Sequence, residues 1–195
     1  MSTITIEPAT SGRFDDAQHA LTGGGDGASC QCQWWMMPNA DWQRTTKEDR
    51  VGMLRAEVDV GPSPALIAYV DGEAAGWVRI GPRIQQPRLR RTKAFAGHLD
   101  ESWDDPDVWA LSCFVVRREH RGRGLTARLL AAAIRYAREN GARLVEAYPI
   151  DTEIAKRSSN ELYTGILSVF EEAGFHEVAR PRPERVIVSL SLTAG

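Results

Sequence analysis

One short stretch of the sequence combines glycine, arginine and a helix start in an order that suits an anion. Gly122 and Gly124 stand between an apolar run and a strong helix pattern. Glycine lets backbone N–H groups approach a ligand with no Cβ in the way. The first turn of a helix adds unpaired N–H groups at the positive end of its dipole. Because Arg121 and Arg123 supply charge suited to phosphate, the spacing predicts a phosphate site over residues 121–126.

The same residues have a simpler interpretation, since a lone Gly-x-Gly also occurs in exposed turns with solvated charges. Two better-known phosphate motifs do not fit the stretch. The chain has no Gly-x-x-x-x-Gly-Lys-Ser/Thr, and the glycine pair lacks the third glycine of a dinucleotide fingerprint. The residues alone therefore do not say which phosphate compound binds.

Two motifs resemble those of one enzyme family. The strand, Arg121-Gly-Arg-Gly-Leu-Thr126 and the amphipathic helix are similar to the Arg/Gln-x-x-Gly-x-Gly/Ala signature of the GNAT superfamily of acetyl-CoA-dependent N-acetyltransferases. Further on, Ser168-Val-Phe-Glu-Glu-Ala-Gly-Phe175 resembles the Leu-Tyr-Glu-x-x-Gly-Phe ending of the family's fourth helix. The motifs come in the family's order, and the close match covers roughly residues 108–192.

The resemblance implies that acetyl-CoA is the acyl donor, with its pyrophosphate on the glycine loop and its pantetheine arm along the preceding strand. The residues implied for donor binding are Phe114, Val115, Val116, Arg121, Gly122, Arg123, Gly124, Leu125 and Thr126. The implied reaction is acetyl transfer to a primary amine by direct attack in a ternary complex, with no metal ion. Small-molecule and peptide amines both remain open as acceptors.

Two positions depart from the family pattern. Thr126 stands where glycine or alanine is usual, so its hydroxyl must fit beside the phosphate. Phe170 stands where the usual tyrosine would return a proton to the CoA thiolate, and a phenyl ring cannot donate one. The candidate acids are therefore Tyr148 and Tyr163, the latter on nearly the same face of a helix predicted over residues 161–173. Ordinary packing is the alternative role for Tyr163, and a catalytically weak CoA-binding sensor or interaction domain is the alternative function.

A general base is expected, because only a neutral amine attacks a thioester. Glu146 lies in an otherwise apolar strand, where a carboxylate must be paired or must face a cleft. It is the first candidate base, with a structural ion pair to an arginine as the alternative. Asp105, Asp107 and Asp151 are weaker candidates, and His120 beside the glycine loop is expected to be a surface residue.

The segment that holds Cys30 and Cys32 is unusual. Two thiols without a second cysteine or histidine pair make a poor zinc site, since four ligands are expected. Small buried thiols are the common case, and an acyl carrier or redox pair is the alternative. The tryptophans and methionines at residues 34–37 predict an apolar wall, in either the core or the substrate pocket. Cys113 lies in an apolar strand and is expected in the core.

The elements that must position these residues predict a mixed α/β (α+β) domain. Apolar periodicity and turn residues predict a strand ending at Pro8, a helix over residues 14–21, a helix capped by Thr45 or Thr46, and a hairpin over residues 65–80. The second half alternates strand, helix, strand, helix and a final strand pair. With the resemblance, this predicts a GNAT fold, a mainly antiparallel sheet splayed in the middle and flanked by helices.

Length and composition set the remaining expectations. Residues 1–195 are expected to form one domain, with residues 82–107, rich in Pro, Arg and Asp, as a long loop or insertion. A net charge of −2 argues against a nucleic-acid module built on the loop arginines. No apolar run is long enough to span a bilayer, and no secretory signal is visible. Three cysteines make no disulfide framework, so a reducing cytosol is expected, and a homodimer is possible.

Overall fold

The computed structural model describes residues 2–192 and holds a sheet of seven strands. The strands are β1 (Ile4–Pro8), β2 (Ala65–Val70), β3 (Glu73–Pro82), β4 (Val108–Val116), β5 (Leu144–Ala147), β6 (His176–Arg182) and β7 (Arg185–Ser191). Their order is β1-β2-β3-β4-β5-β7-β6, and β4 with β5 is the single parallel pair among these described strands. The predicted mixed, mainly antiparallel sheet is confirmed.

Helices and short turns connect the strands. The α-helices are α1 (Phe14–Leu21), α2 (Gly27–Cys30), α3 (Asn39–Trp42), α4 (Lys47–Val58), α5 (Pro87–Arg91), α6 (Lys93–Ala96), α7 (Leu125–Glu139) and α8 (Leu167–Glu172). The 3₁₀ turns are Ser11–Arg13, Trp34–Met36, Arg83–Gln85, Arg118–His120 and Glu161–Thr164. Within residues 2–192, none of the helices has both the length and the apolar character that crossing a membrane would require.

Apolar residues of β2 alternate between two cores, as the two-residue period of a strand requires. Leu66 and Ala68 pack in the core that contains α7 and α8, whereas Ala65 and Ile67 pack in the core that contains α1 and α4. Helices therefore cover both faces of the sheet. Covered strands carry continuous apolar runs, which is why their sequences lack polar alternation.

The first half follows its sequence pattern closely. α1 spans the predicted residues 14–21. Thr46 begins α4 with a reciprocal capping box: its hydroxyl oxygen accepts the Asp49 N–H at 3.2 Å, and the Asp49 carboxylate accepts the Thr46 N–H at 2.8 Å. Two otherwise unpaired backbone donors are satisfied in this way. Of the two predicted caps, Thr45 and Thr46, the structure has Thr46.

The sheet opens at its middle. Parallel pairing of β4 with β5 runs from Val108 with Leu144 to Leu111 with Ala147 and then stops, although β4 continues to Val116. The edge of β4 that faces β5 therefore has no strand partner over residues 112–116. This gap is the splay that the family resemblance implies.

Residues 82–107, predicted as a long loop or insertion, form a connection that contains the turn Arg83–Gln85 and the short helices α5 and α6. Arg83 anchors the insertion, because its Nη1 donates to both carboxylate oxygens of Glu146 at 2.7 and 2.8 Å. Its Nη2 donates to the carbonyl oxygen of Glu101 at 3.0 Å. The side chains of Arg83 and Glu146 are 0% and 1% exposed, so a buried ion pair ties the insertion to β5.

The helix predicted over residues 161–173 is two separate elements. The 3₁₀ turn Glu161–Thr164 ends at Gly165, whose φ of 87° favours glycine. A Cβ at Gly165 would also lie 2.6 Å from the ring of Phe170, so glycine is required twice over. Tyr163 and Phe170 therefore do not share one helix face, and that prediction is wrong.

The buried ion pair generates a stability prediction. Glu146→Ala leaves the Arg83 guanidinium buried without its carboxylate, so the free energy of unfolding should fall by about 3–5 kcal/mol. Urea denaturation followed by far-UV circular dichroism measures this change.

A matched control is the neighbouring Glu101→Ala, because the side chains of Glu101 and its partner Arg143 are 33% and 37% exposed. Its cost should stay within about 1 kcal/mol, as for other exposed pairs. Equal and small losses in both variants would contradict an anchoring role for Glu146.

Candidate active site

A cleft of about 840 Å³ opens where β4 and β5 separate. Its walls are the last residues of β4, the loop that follows, the segment around α2, and residues 159–166. The volume lies in the range of roughly 300–1,000 Å³ that small-molecule and cofactor sites occupy. The splay of the sheet therefore creates a ligand-sized space.

The loop between β4 and α7 turns at two glycines. Gly122 and Gly124 have φ of 75° and 70°, in the left-handed region that glycine reaches without strain. A Cβ at either position would meet no atom within 4 Å, so open space lies beside the loop. No side chain caps α7 at Gly124, which leaves backbone donors of its first turn for a ligand. The loop and helix together can hold an anion, as predicted from the spacing.

Arg121 links the loop to the opposite wall of the cleft. Its Nε donates to the carbonyl oxygen of Val116 at 3.1 Å, and its Nη1 donates to the Ser159 hydroxyl at 3.0 Å. Arg123, in contrast, is exposed and does not line the cleft. The other residues expected to hold the donor do line it: Phe114, Val115, Val116, Arg121, Gly122, Gly124, Leu125 and Thr126.

The chain that follows α1 crosses the glycine loop at contact distance. A Cβ on Gly23 would lie 2.3 Å from the Cα of Arg117, and the Arg118 N–H donates to the Gly23 carbonyl oxygen at 2.9 Å. Only a residue without a side chain permits this approach. The glycines at residues 23–25, which follow α1, also bring α2 to the wall of the cleft.

The free edge of β4 offers its backbone to an extended ligand. The carbonyl oxygen of Ser112 accepts the Trp35 indole N–H at 3.1 Å, which fixes one end of the edge. Residues 113–115 beyond it have no strand partner on the side of β5. An extended arm can bond to such an edge as an added strand does.

Tyr163 lines the cleft and also a second cavity of about 370 Å³ beside it. Among residues 2–192, its hydroxyl has no hydrogen-bond partner. Burial raises the pKa of Tyr163 above its ordinary value, so the phenol stays protonated at neutral pH. Of the two candidate acids, Tyr163 is therefore the one placed to reach a ligand.

Glu146 and Tyr148 do not line the cleft, and the expectation that Glu146 faces it is corrected. Glu146 forms the ion pair with Arg83, which is the alternative that its sequence context left open. Burial raises the pKa of Glu146, and the Arg83 charge opposes that shift.

Tyr148 is a buried neighbour of Glu146. The Tyr148 hydroxyl donates to Glu146 at 3.2 Å, and the Tyr148 ring stacks on Phe95 with centroids 4.4 Å apart. Burial raises the pKa of Tyr148 far above its ordinary value.

The weaker candidate bases also lie outside the cleft lining. Asp105 accepts from Arg143 Nε at 3.0 Å, and Asp151 accepts from Arg180 at 2.8 Å. These hydrogen bonds lower the pKa of both carboxyls, which makes them poor proton acceptors at neutral pH. Asp107 is exposed and likewise lies away from the cleft.

His120 lines the cleft but is buried, in contrast to the surface position expected of it. Its Nε2 lies 3.4 Å from a carboxylate oxygen of Glu73. Glu73, Glu119 and His120 bring potential ligand atoms within 4.8 Å of one another. Arg117 forms ion pairs with both glutamates, so its charge already compensates this cluster.

All three cysteines line the cleft. The sulfurs of the buried Cys32 and Cys113 are 3.2 Å apart, and Cys30 is partly exposed. Burial raises the pKa of Cys30 to about 11, so it is a thiol and not a nucleophilic thiolate at neutral pH. The apolar wall predicted at residues 34–37 belongs both to the cleft and to the core, because Trp34 lines the cleft and Trp35 is buried.

Phe170 lies in the core behind the cleft and not on its surface. The ring is fully buried and packs edge-on against Phe114 and Phe175, with centroids 6.1 and 5.2 Å away. Two residues that line the cleft, Ser159 and Glu161, were not predicted as site residues from the sequence. The Ser-Ser-Asn run at residues 158–160 was the available signal, since such clusters favour loops.

Comparison with known proteins agrees with this geometry. The family model described as "Acetyltransferase (GNAT) family" matches residues 30–165. No curated protein matches the chain.

Solved structures with the same fold include three acetyltransferases of different origin. A protein from Salmonella typhimurium assigned as an acetyltransferase and solved with its cofactor acetyl-CoA is 16% identical, with a TM-score of 0.54 over 98% of this chain and 95% of that one. The ribosomal-protein-S18-alanine N-acetyltransferase of Escherichia coli is 12% identical, with a TM-score of 0.54 over 99% and 96%. A polyamine N-acetyltransferase of Drosophila melanogaster, which forms N-acetylagmatine, is 15% identical, with a TM-score of 0.55 over 97% and 100%.

At these identities the structural matches show a shared fold. The family model spans more than half of the chain and includes both the glycine loop and the splayed strand. The family resemblance is thereby confirmed, and of the two motifs the matched range contains the glycine loop. The chain belongs to the GNAT family of acetyltransferases.

Proposed function

We propose that the protein is an N-acetyltransferase that transfers the acetyl group of acetyl-CoA to a primary amine. One observation carries the proposal: inside one cleft, the free edge of β4 leads through the loop at residues 117–124 to an uncapped helix start at two glycines. An extended arm that ends in a pyrophosphate matches both features at once. Neither feature needs a metal ion.

The donor is proposed to bind with its pyrophosphate at the first turn of α7. Backbone donors there meet phosphate oxygens, and the Thr126 hydroxyl, which lines the cleft, can add one further bond. The pantetheine amides then pair with the backbone of residues 113–115, which brings the thioester towards Tyr163. The sequence of strand edge, glycine loop and helix start along the cleft supports the donor-binding roles that the family resemblance implies.

The reaction is direct attack of the amine nitrogen on the thioester carbonyl carbon. The C–N bond forms, the C–S bond breaks, and the CoA thiolate takes a proton from the Tyr163 hydroxyl. The nitrogen loses one proton to water as it becomes an amide, and Tyr163 regains a proton from water before the next turnover. Glu161 lines the cleft, but hydrogen bonds from Ser158 lower its pKa and make it a weak base. The amine therefore has to lose its proton to water, and the rate should follow the ionisation of the acceptor itself.

The competing function, a CoA-binding domain with little catalysis, rests on Phe170. Phe170 stands where the family's usual tyrosine would act as the acid, and its ring is buried in the core. The proposal therefore depends on Tyr163 as the acid. Release of CoA thiol from acetyl-CoA, assayed over a panel of amines, distinguishes the two functions. Binding of acetyl-CoA without amine-dependent thiol release would favour the sensor. A cytosolic location and a homodimer stay predictions.

Donor binding can be tested at Gly124. Gly124→Asp puts a side chain and a negative charge where backbone donors meet phosphate, so the acetyl-CoA dissociation constant should rise at least about 10-fold. Isothermal titration calorimetry measures it.

The control is Gly141→Asp at the opposite end of α7, where φ is also positive (87°) and a Cβ likewise meets nothing within 4 Å. Its affinity for acetyl-CoA should match the unmodified chain. Unchanged affinity in Gly124→Asp, or no binding by the unmodified chain at millimolar ligand, would refute the proposed donor site.

The acid role can be tested with Tyr163→Phe. Loss of the hydroxyl should lower kcat by roughly 10²–10⁴-fold, the effect of a positioned proton donor, with acetyl-CoA affinity nearly unchanged. The raised pKa of Tyr163 adds a second readout. The Tyr163 hydroxyl keeps its proton below that pKa, so kcat of the unmodified enzyme should fall only at strongly alkaline pH. The variant should lack this fall.

The control is Tyr148→Phe, which removes a buried hydroxyl that does not line the cleft. Its kcat should change by no more than a few-fold. Near-normal turnover in Tyr163→Phe would assign Tyr163 to packing.

A further inference from the structure

The second cavity adjoins the cleft and has a different chemical character. Tyr163 and Glu161 line both spaces, so the cavity lies one side chain away from the expected thioester position. Trp35 and Phe95 give it an aromatic wall. At about 370 Å³ it is at the small end of ligand sites, which suits a small molecule or a chain end.

The charges that line this cavity do not cancel. It contains three arginines and two glutamates. Both glutamates pair with one arginine: Arg157 Nη1 lies 3.4 Å from Glu161 Oε1, and Arg157 Nη2 lies 3.2 Å from Glu184 Oε1. The remaining arginines, Arg182 and Arg185, are left without a carboxylate.

Arg185 is partly buried and bonded only to neutral oxygens. Its Nη1 donates to the carbonyl oxygen of Tyr148 and to the Thr164 hydroxyl, both at 3.1 Å. Burial lowers the pKa of Arg185. Tyr163 and the Glu184 carboxylate oppose that shift, and the positive charge of Arg182 adds to it. A desolvated guanidinium beside another cation is a costly arrangement unless an anion joins it.

Arg182 supplies the second guanidinium. It pairs with Arg185 across the end of the hairpin between β6 and β7, so both side chains belong to neighbouring strands. Among residues 2–192, its side chain has no hydrogen bond or ion pair. Two guanidinium groups at one hairpin end can bind a carboxylate or phosphorus oxyanion with several charge-assisted hydrogen bonds.

We propose that the acceptor is a small amine that also carries an anionic group, and that Arg182 and Arg185 bind this anion in the second cavity. The inference rests on the proposed acetyl transfer and names its substrate class. With the anion held there, the amine end of the molecule passes Tyr163 and reaches the thioester in the cleft. The binding of the anion thereby fixes both the orientation and the choice of acceptor.

The test compares matched amines that differ only in the anion. In the first series leucine carries the anion, and leucinamide and isoamylamine are its neutral partners. In the second series γ-aminobutyrate carries the anion, and its amide and butylamine are the neutral partners. Aminoethylphosphonate represents the phosphorus oxyanions. At saturating acetyl-CoA, kcat/KM for the favoured anionic amine should exceed that of its neutral partners by about 10- to 100-fold, the effect of charge-assisted hydrogen bonds. Binding of the same amines to the CoA complex is measured in parallel by calorimetry.

Variants then locate the preference. Arg182→Gln should lower kcat/KM for the anionic amine about 10-fold or more, with little change for the neutral amines and for acetyl-CoA affinity. Arg182→Lys keeps the charge and should retain part of the selectivity. Arg135→Gln is the control, because Arg135 is exposed on α7 and lines neither cavity.

The outcomes separate this inference from the acetyl-transfer proposal. Acetylation of neutral amines with no preference for anionic ones overturns the anion site and leaves the transferase standing. Absence of both turnover and binding for every anionic amine also overturns it. If Arg182→Gln weakens acetyl-CoA binding instead, the arginines serve the donor and the inference is wrong. Failure to bind acetyl-CoA at all refutes the proposed function itself.

Discussion

The early end of pairing between β4 and β5 is the constraint on which the site depends. A buried strand normally satisfies its backbone donors and acceptors on both edges, and an unpaired group in the interior is costly. β4 is buried almost throughout, yet its edge loses its strand partner after Leu111. The backbone there has to bond to side chains, water or ligand. The Trp35 indole N–H already donates to the Ser112 carbonyl oxygen, and the proposed donor arm would bond to the rest of the edge.

The insertion between β3 and β4 stabilises the sheet at the point where it opens. Arg83 reaches from the insertion to Glu146 on the last paired stretch of β5, and Phe95 stacks on Tyr148 just beyond it. An aromatic and aliphatic cluster formed by the insertion thus fills one face of the sheet at the gap. Glu146 and Tyr148 act on the cleft by holding its wall in place, and a direct chemical role is not needed to explain their burial.

Features that depend on local sequence were predictable, and features that depend on long-range partners were not. The glycine loop, the caps and the strands follow from residues within one or two turns of each other. The pairing of Glu146 joins positions 63 residues apart, and nothing in the strand itself identifies Arg83 as the partner. The break at Gly165 was hidden for a similar reason, because the apolar period continues across it. The need for glycine arises from the positive φ of the turn and from contact with the Phe170 ring, which the local pattern does not reveal.

The same distinction explains why donor chemistry is easier to infer than acceptor chemistry. The proposed donor contacts lie in one continuous segment that leads from β4 through the glycine loop into α7, and this segment lines the cleft. The second cavity is assembled from Trp35, the insertion, the Glu161–Thr164 turn and the hairpin between β6 and β7, which are far apart in the chain. Solved structures that share this fold include a ribosomal-protein-S18-alanine N-acetyltransferase and a polyamine N-acetyltransferase, at 12% and 15% identity. We therefore propose that acceptor choice depends on side chains outside the glycine loop, and the arginine pair of the second cavity is such a feature.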